Sequence, residues 1–259
     1  MIDLHAHVLP NLDDGPRNLE QTAANLRQAA SAGIHTLVAV AHTNDNHYQV
    51  TAQAYWEAFN AVREWVFTHD IPIALVSAME VRLGRNLAQG FCDQAFLPVG
   101  ESGYLCVELP SLDFPSYTLD SLYELGLSGV RPFLIHPERN RGLRKMPELG
   151  ERLMAMGIMG VASMGSLTGQ FGEEVQAAGW RLIDQGLIQA VATDGHSVDK
   201  RPLTLPVAYD LLKDRYGETV AEDMTGATPA KLLQGQSITL RPHFPAKRPL
   251  LKRLLAKRP

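Results

Sequence analysis

The feature that most constrains the fold is the regular alternation of short apolar runs with segments of helical periodicity along the 259 residues. Most of these runs are rich in β-branched residues or continuously apolar, as is typical of parallel strands buried on both faces. Such a series predicts an α/β fold in which right-handed crossovers build one parallel sheet or barrel. The seven predicted strands are residues 2–5, 35–41, 71–77, 103–109, 132–136, 159–163 and 187–193.

Helical periodicity fills the gaps between the predicted strands. The first of these segments is followed by Gly33, a typical C-terminal stop, and the last begins with Thr228 and Pro229, a cap and first-turn pair. No repeat or low-complexity linker interrupts the pattern before residue 241, so we predict one domain over residues 1–240 and a separate tail over 241–259. Helices are predicted over residues 19–30, 55–67, 119–127, 147–156, 173–185, 204–216 and 228–233.

The charge is unevenly divided between these two parts. The tail, residues 241–259, has seven lysines and arginines and no acid, which leaves 17 of the 24 basic side chains against all 28 acidic ones in residues 1–240. A body with a balance of −11 argues against a nucleic-acid partner. Two interpretations of the tail stay open: a solvated chain end, which we favour, and a basic leucine-containing segment that docks to an acidic partner or an anionic membrane surface.

Cysteine content and hydropathy further narrow the class of protein to which the chain can belong. Cys92 and Cys106 are the only cysteines, too few for a disulfide framework or a thiolate zinc site. The chain does not start with a basic segment followed by an apolar run, and no apolar stretch reaches the roughly 18 residues that a membrane span needs. These observations predict a cytoplasmic protein without a membrane span.

The position of the polar residues predicts a functional site. Five of the nine histidines and three acids stand at or just after the carboxyl end of a predicted strand. In a parallel barrel these ends converge on one mouth, which is where the active sites of such folds lie. The residues concerned are His5, His7, His42, Glu80, Glu108, His136, Asp194 and His196.

The first strand gives the clearest signal. Its two-residue period places Asp3, His5 and His7 on one face, where two imidazoles can bind one metal ion and Asp3 is a candidate to orient a ring. The alternative is a chance polar alternation on a half-exposed strand. Asp194 and His196 repeat the same spacing after the last strand.

The acids support the same metal hypothesis. Glu80 and Glu108 belong to runs that should be buried, where an unpaired carboxylate is costly and a bound cation would offset that cost. A structural salt bridge is the alternative for each residue alone. Asp13 and Asp14 precede Gly15 as in an ordinary turn, yet at the barrel mouth one of these carboxylates could reach a metal.

Several segments together resemble a known family. They are Ile-Asp-Leu-His-Ala-His at residues 2–7 with Asp-Asp-Gly at 13–15, Ala-Met-Glu-Val-Arg at 78–82, Ile-His-Pro-Glu-Arg-Asn at 135–140, Gly-Ser-Leu-Thr-Gly at 165–169 and Ala-Thr-Asp-Gly-His at 192–196. This pattern resembles the PHP (polymerase and histidinol phosphatase) superfamily and, within it, the bacterial CpsB/YwqE-type tyrosine-protein phosphatases of polysaccharide biosynthesis. The resemblance extends from Met1 to about residue 240.

The resemblance implies a PHP-type distorted (β/α)7 barrel that holds three metal ions. Carried over by position, Glu80 would bridge two of them. The first ion would take His5, His7, Glu80 and Asp194, the second Glu80, Glu108 and His136, and the third Asp14 (or Asp13), His42 and His196.

Imidazole and carboxylate ligands without thiolate suit manganese, iron or zinc, and the resemblance favours manganese. It implies hydrolysis of phosphotyrosine by metal-activated hydroxide, on the tail of an autophosphorylating tyrosine kinase in capsule or exopolysaccharide synthesis. Arg139, and less strongly Arg201, are candidates to bind the phosphate. The alternatives are a small-molecule phosphatase of the histidinol-phosphate type and a metal-bound regulatory or scaffold subunit. The oligomeric state stays open, a homo-oligomer included.

Overall fold

The protein is described by a computed structural model that covers residues 1–243, so most of the predicted tail, residues 244–259, lies outside the described part. Every strand pair within the two sheets is parallel, as the apolar runs predicted. The strands are β1 (Ile2–Ala6), β2 (Thr36–Ala39), β3 (His42–Thr43), β4 (Ala74–Ser77), β5 (Glu80–Arg82), β6 (Tyr104–Glu108), β7 (Arg131–Ile135), β8 (Gly160–Ser163) and β9 (Ile188–Ala192).

Helices lie between most of the strands and after the last one, and four short helices, at residues 87–92, 141–145, 164–167 and 218–222, were not predicted. A 3-10 turn, Pro137–Arg139, follows β7, and a π-helical turn, Asp223–Ala227, precedes the last helix. The helices are α1 (Leu19–Ser31), α2 (Ala52–Thr68), α3 (Leu87–Cys92), α4 (Thr118–Leu127), α5 (Arg141–Lys145), α6 (Glu148–Ala155), α7 (Met164–Leu167), α8 (Glu173–Gln185), α9 (Pro206–Tyr216), α10 (Glu218–Glu222) and α11 (Thr228–Leu233).

The strands form two sheets, ordered β1-β2-β4 and β3-β5-β6-β7-β8-β9. The second and third predicted strands are each followed by a break, after which the chain continues as a strand of the other sheet: β2 is followed by β3, and β4 by β5. Tyr55 explains the breaks: its buried hydroxyl donates to the Ala39 carbonyl at 2.6 Å and accepts from the Ala78 amide at 2.9 Å. The side chain therefore takes backbone groups that a continuous ladder would have paired.

The first and last strands meet at their carboxyl ends. The Asp194 amide donates to the His5 carbonyl at 2.9 Å, and the His7 amide donates to the Gly195 carbonyl at 2.8 Å. Within residues 1–243, these contacts are not extended into a ladder between β1 and β9. The two sheets therefore meet at this short seam, and the hydrogen-bonded ring of strands is not closed. The α/β single-domain architecture with parallel strands is confirmed.

The core has two layers that follow the two-residue period of the strands. On β6, Tyr104 and Cys106 pack with the inner cluster of strand side chains, whereas Leu105 and Val107 pack toward the helices. Leu232 of α11 is fully buried against the inner cluster. The inner cluster comprises Ile2, Leu4, Val38, Val40, Ala78, Val99, Tyr104, Cys106, Phe133, Ile135, Met159, Val161, Ala190, Ala192 and Leu232.

Three positions beyond the predicted domain boundary at residue 240 belong to the part of the chain that the structure describes. The Arg241 carbonyl accepts from the Gln189 side chain at 2.8 Å, the Arg241 side chain pairs with Asp223, and the His243 amide donates to the Ile183 carbonyl at 3.3 Å. Residues 241–243 therefore pack on the domain.

Candidate metal centre

The inner apolar face of several strands continues into a polar layer at their carboxyl ends. Two residues after the inner Val40 comes His42, and two after Ala78 comes Glu80. The same step leads from inner residues of β6 and β9 to Glu108 and Asp194. Because a strand side chain at i+2 lies on the same face, these polar groups project into the mouth above the apolar core.

The backbone is irregular where three of the strands reach the mouth. The ladder between β1 and β2 shifts register between Asp3 and Ala6, in the stretch that contains His5. His136 and Asp194 have φ angles of 35° and 53°, in the left-handed region that is unfavourable for residues other than glycine. Such strain, of about 1–3 kcal/mol per residue, persists where the surrounding structure enforces it and is common at functional sites.

Glu80 lies at the centre of the cluster of imidazoles and carboxylates at the mouth. Its carboxylate is fully buried, and Oε2 lies 3.1 Å from Nε2 of His5 and 3.1 Å from Nε2 of His7. His42 Nδ1 lies 3.3 Å from the same oxygen, and His136 Nε2 lies 3.1 Å from Oε1. Yet within the described residues Oε2 receives no hydrogen bond of good geometry. A buried carboxylate oxygen ringed by imidazole nitrogens but lacking a donor is an arrangement that a cation would satisfy.

A second group of ligand atoms lies toward the solvent. Asp14 Oδ1 is 3.2 Å from His196 Nε2 and 3.6 Å from His42 Nε2, and the Asp14 side chain is 45% exposed. The ring of His7 packs 4.0 Å from that of His196, between centroids. Within residues 1–243, three sets have ligand atoms close enough to hold an ion: His5, His7 and Glu80; His42, Glu80 and Glu108; and His7, Asp14, His42 and His196.

The two aspartates before Gly15 have different positions. Asp13 Oδ2 lies 2.8 Å from His7 Nδ1 and accepts from the His42 amide at 3.1 Å, while Oδ1 accepts from the Gly15 amide at 2.9 Å. Asp13 therefore holds one ring and leaves Nε2 of His7 facing Glu80. Only Asp14 joins the candidate ligand sets of the described residues.

The prediction that Asp3 orients a ring was wrong. Asp3 is fully buried but accepts from the backbone amides of Thr193 and His5, at 3.0 and 3.3 Å, and from the Thr193 hydroxyl. It fastens β9 to β1 below the cluster. The carboxylate that does hold a ring, Asp13, comes from the following loop, which the strand period could not reveal.

The two arginines named from the sequence converge on one carboxylate. Arg139 and Arg201 both pair with Oδ2 of Asp194, and Arg139 also donates to the Ser163 hydroxyl at 2.9 Å. The other oxygen, Oδ1 of Asp194, lies 3.8 Å from His5 Nε2. Both guanidinium groups line a cavity of about 220 Å³ above the cluster, together with Asp14, His42, Glu108 and His136.

The electrostatics of the cluster suit metal ligands. Burial lowers the pKa of His136 and His196 to about 4 each, aided by the charge of Arg139 and by His7 respectively. These rings are therefore neutral near pH 7, the form that binds metals. Burial first, and then the charge of Glu80, raise the pKa of Glu108 to about 8. A nearby cation would reverse that shift.

Sulfur takes no part in the cluster. Cys106 Sγ lies 3.7 Å from Nδ1 of His5, the nitrogen that faces away from Glu80, and burial raises the thiol pKa well above its usual range. Cys92 is exposed on α3. The donor set of imidazoles and carboxylates fits manganese, iron or zinc and disfavours metals that prefer thiolates.

Comparison with known proteins agrees with this geometry. The model of the family described as "Capsular polysaccharide synthesis, CpsB/CapC" matches residues 1–234. The chain belongs to the CpsB/CapC family.

Two curated relatives illustrate how far the similarity to CpsB/CapC proteins extends. Tyrosine-protein phosphatase YwqE of Bacillus subtilis is 32% identical over 248 residues, which cover 96% of this chain and 97% of YwqE. Tyrosine-protein phosphatase CpsB of Streptococcus pneumoniae is 25% identical over 248 residues and is covered completely. The similarity therefore spans more than nine tenths of each chain.

A solved structure shares the same architecture. It comes from work on YwqE of Bacillus subtilis and CpsB of Streptococcus pneumoniae, described as unique metal-dependent tyrosine phosphatases. The TM-score is 0.88 at 31% identity, with 96% of this chain and all of the other covered. The resemblance to CpsB/YwqE-type proteins drawn from the sequence is confirmed, while the wider placement in the PHP superfamily stays a prediction.

Sequence reasoning missed part of the CpsB/CapC site. Arg82 lies in the motif at residues 78–82 but was not predicted to have a role. It donates hydrogen bonds to Asp45 at 2.9 Å and to the Leu109 carbonyl at 3.1 Å, and it forms an ion pair with Glu108 at 3.2 Å. Tyr48 stacks on His42 with ring centroids 5.5 Å apart. Tyr48 and Asp45 belong to a loop without helix or strand, so no periodicity pointed to them.

Proposed function

We propose that this CpsB/CapC family member is a metal-dependent tyrosine-protein phosphatase. The observation that carries the proposal is the buried Glu80 carboxylate, surrounded by four imidazoles and without a hydrogen-bond donor on Oε2. That arrangement fits a multi-cation site, and the relatives YwqE and CpsB carry the name tyrosine-protein phosphatase.

The proposed centre holds three divalent ions, manganese by preference. One ion would take His5, His7, Glu80 and Asp194. The second would take Glu80, Glu108 and His136, with His42 also close to both acids. The third would take Asp14, His42 and His196, with His7 as a neighbour. Asp13 would be an orienting residue and not a ligand.

Bound divalent ions supply hydroxide near neutral pH and neutralise the charge of the phosphoryl group. The side chains of the protein bind and orient the phosphate group. Arg139 and Arg201 stand above the ligands in the cavity, and their forked guanidinium groups suit bidentate contact with phosphate oxygens. When a phosphate enters, we expect both to exchange part of their contact with Asp194 for the phosphate. The phenolate leaving group, with a pKa near 10, needs little protonation to depart.

The proposed substrate is phosphotyrosine on a protein, specifically the tail of an autophosphorylating tyrosine kinase in capsule or exopolysaccharide synthesis. We also propose that the protein works in the cytoplasm. No helix within residues 1–243 is long and apolar enough to cross a bilayer.

The proposal is tested by phosphate release in the presence of Mn²⁺. We expect rapid release from a phosphotyrosine peptide and release at least about tenfold slower, by kcat/KM, from histidinol phosphate. The reverse preference would support the small-molecule phosphatase. A metal-loaded protein that hydrolyses neither substrate would support the regulatory or scaffold subunit.

The proposed roles of Asp13 and Asp14 can be distinguished by the metal affinity and metal content of their asparagine variants. For Asp13→Asn we expect full metal content at saturation but about 10–100-fold weaker affinity for Mn²⁺, because the orienting charge beside His7 is lost. For Asp14→Asn we expect a chain that lacks one ion even at saturating Mn²⁺. Titration with Mn²⁺ followed by elemental analysis distinguishes the two variants, and an exchanged pattern would mean that Asp13 is the ligand.

A shortened chain tests the role of the C-terminal segment. Removing residues 244–259 keeps Arg241 and its contacts with Gln189 and Asp223, so we expect unchanged folding and unchanged hydrolysis of a phosphotyrosine peptide. The measurement is kcat/KM with the peptide and the thermal midpoint of unfolding. A loss of turnover above about threefold would show that the removed segment contributes to the site or to the fold.

A further inference from the structure

A second cavity, of about 510 Å³, lies between α5 and α8 beside the segment that carries Arg139. Arg141, Arg144 and Lys145 line it from α5. Glu174 and Arg181, seven residues apart, line it from α8 with two alanines between them. Spacings of three, four and seven place the lining residues of each helix on one face. Both helices therefore face the same space, to which α5 contributes three basic side chains and α8 contributes Arg181 and the single acid, Glu174.

The charge of this basic cavity opposes that of the whole protein. Four cationic side chains face one acid, Glu174, which is 91% exposed and no nearer than 4.0 Å to Arg144. Residues 1–243 carry 18 lysines and arginines against 28 acids, so more than a fifth of their basic groups line this one cavity. Such a local concentration of positive charge attracts anions.

Arg181 shows that the basic cavity is more than a solvated surface. Its Nε is buried and has no hydrogen-bond acceptor in the described part of the chain, although another of its nitrogens donates to the Arg144 carbonyl at 3.0 Å. Arg144 and Lys145 lie in the last turn of α5, where basic residues stabilise the helix end. Arg181 is not in the last turn of α8 and has no such explanation.

The basic cavity is coupled to the proposed catalytic site through one backbone segment. Arg144 donates to the Arg139 carbonyl at 2.6 Å and to the Glu138 carbonyl at 3.2 Å. Arg141 follows Arg139 by only two residues. A polypeptide whose phosphotyrosine reaches Arg139 therefore has its flanking residues close to α5.

We propose that the basic cavity is an accessory site for an anionic side chain, carboxylate or phosphate, of the substrate polypeptide near the phosphotyrosine. This inference rests on the proposed function. The site selects substrates by the charge of their flanking sequence and takes no part in the chemical step.

The test compares phosphotyrosine peptides that differ only in one flanking residue: alanine, glutamate or phosphoserine, placed two to six positions from the phosphotyrosine on either side. p-Nitrophenyl phosphate serves as a substrate without flanks. The variants are Arg141→Gln combined with Lys145→Gln, and Ala177→Glu, which adds a negative charge to the exposed helix position facing the cavity. Arg63→Gln combined with Lys231→Gln is the matched control on exposed positions of α2 and α11.

For the unmodified protein and the control we expect a KM about tenfold lower for the best acidic peptide than for the alanine peptide, the effect of one charge-assisted contact. Both cavity variants should abolish this difference while keeping kcat and all constants for p-nitrophenyl phosphate. The glutamate and phosphoserine arms show which anion is preferred.

Three results would overturn the inference. The first is equal KM for acidic and neutral peptides at every spacing in the unmodified protein. The second is a preference that survives in both cavity variants, and the third is an equal loss with p-nitrophenyl phosphate. In each case hydrolysis of the alanine peptide leaves the proposed function intact, whereas failure to hydrolyse any phosphotyrosine peptide contradicts both proposals.

Discussion

Replacing Glu80 with glutamine should remove most of the bound metal and lower kcat/KM for a phosphotyrosine peptide by at least about 10³-fold. The side chain keeps its size but loses the charge that lies within 3.3 Å of four imidazole nitrogens. As the proposed bridging ligand, Glu80 serves two ions at once. Loss of an outer orienting partner alone typically costs 10–100-fold, and loss of a shared ligand should cost more.

Metal content and kinetics of Glu80→Gln should be measured beside those of Glu138→Gln. Glu138 is equally buried and its carboxylate accepts from the Ser163 amide at 2.9 Å, but it is not in any candidate ligand set of the described residues. We expect the Glu138 variant to keep its metal. Normal metal content and normal turnover in Glu80→Gln would refute its role at the centre of the cluster.

Replacing Arg139 with alanine should leave all metal ions bound and lower kcat by about 10²–10³-fold, the typical cost of removing one donor to developing charge. The guanidinium stacks 3.9 Å from the ring centre of Phe171 and is held by Ser163, so its position in the cavity is fixed before substrate arrives. Because Arg139 is already held in place, it can stabilise the phosphoryl oxygens without a further loss of side-chain conformational entropy.

The kinetics of Arg139→Ala should be read together with its metal content. Arg139→Lys keeps the charge but not the fork and should recover only part of the loss, because a lysine cannot make the paired contact. Arg201→Ala, which removes the second guanidinium on Asp194, should reduce turnover less if Arg139 is the principal contact. Unchanged kinetics in Arg139→Ala would exclude it from the site.

The site could be predicted from the sequence wherever it follows the strand period. His42, Glu80, Glu108 and Asp194 each stand two residues beyond an inner apolar residue, so one periodicity argument places all four at the mouth. The elements between strands were predicted where helices are long and amphipathic. Short helices such as α5 contain too few turns to show a period.

The remaining features depend on contacts between distant segments. Tyr55 lies in a predicted helix, and nothing local shows that its hydroxyl divides two strands. Asp3 and Asp13 are equally plausible partners for an imidazole in sequence, and only the folded loop brings Asp13 to His7. The left-handed backbone conformation of His136 likewise differs from the extended conformation that the strand pattern predicts for the residues before it.

Elemental analysis of the purified protein, before and after treatment with a chelator, tests the central claim most directly. We predict three divalent ions per chain, mainly manganese, and a loss of phosphotyrosine hydrolysis that parallels their removal and is reversed by adding Mn²⁺. A protein that contains no metal, or that hydrolyses phosphotyrosine equally well after complete removal of metal, would contradict the account.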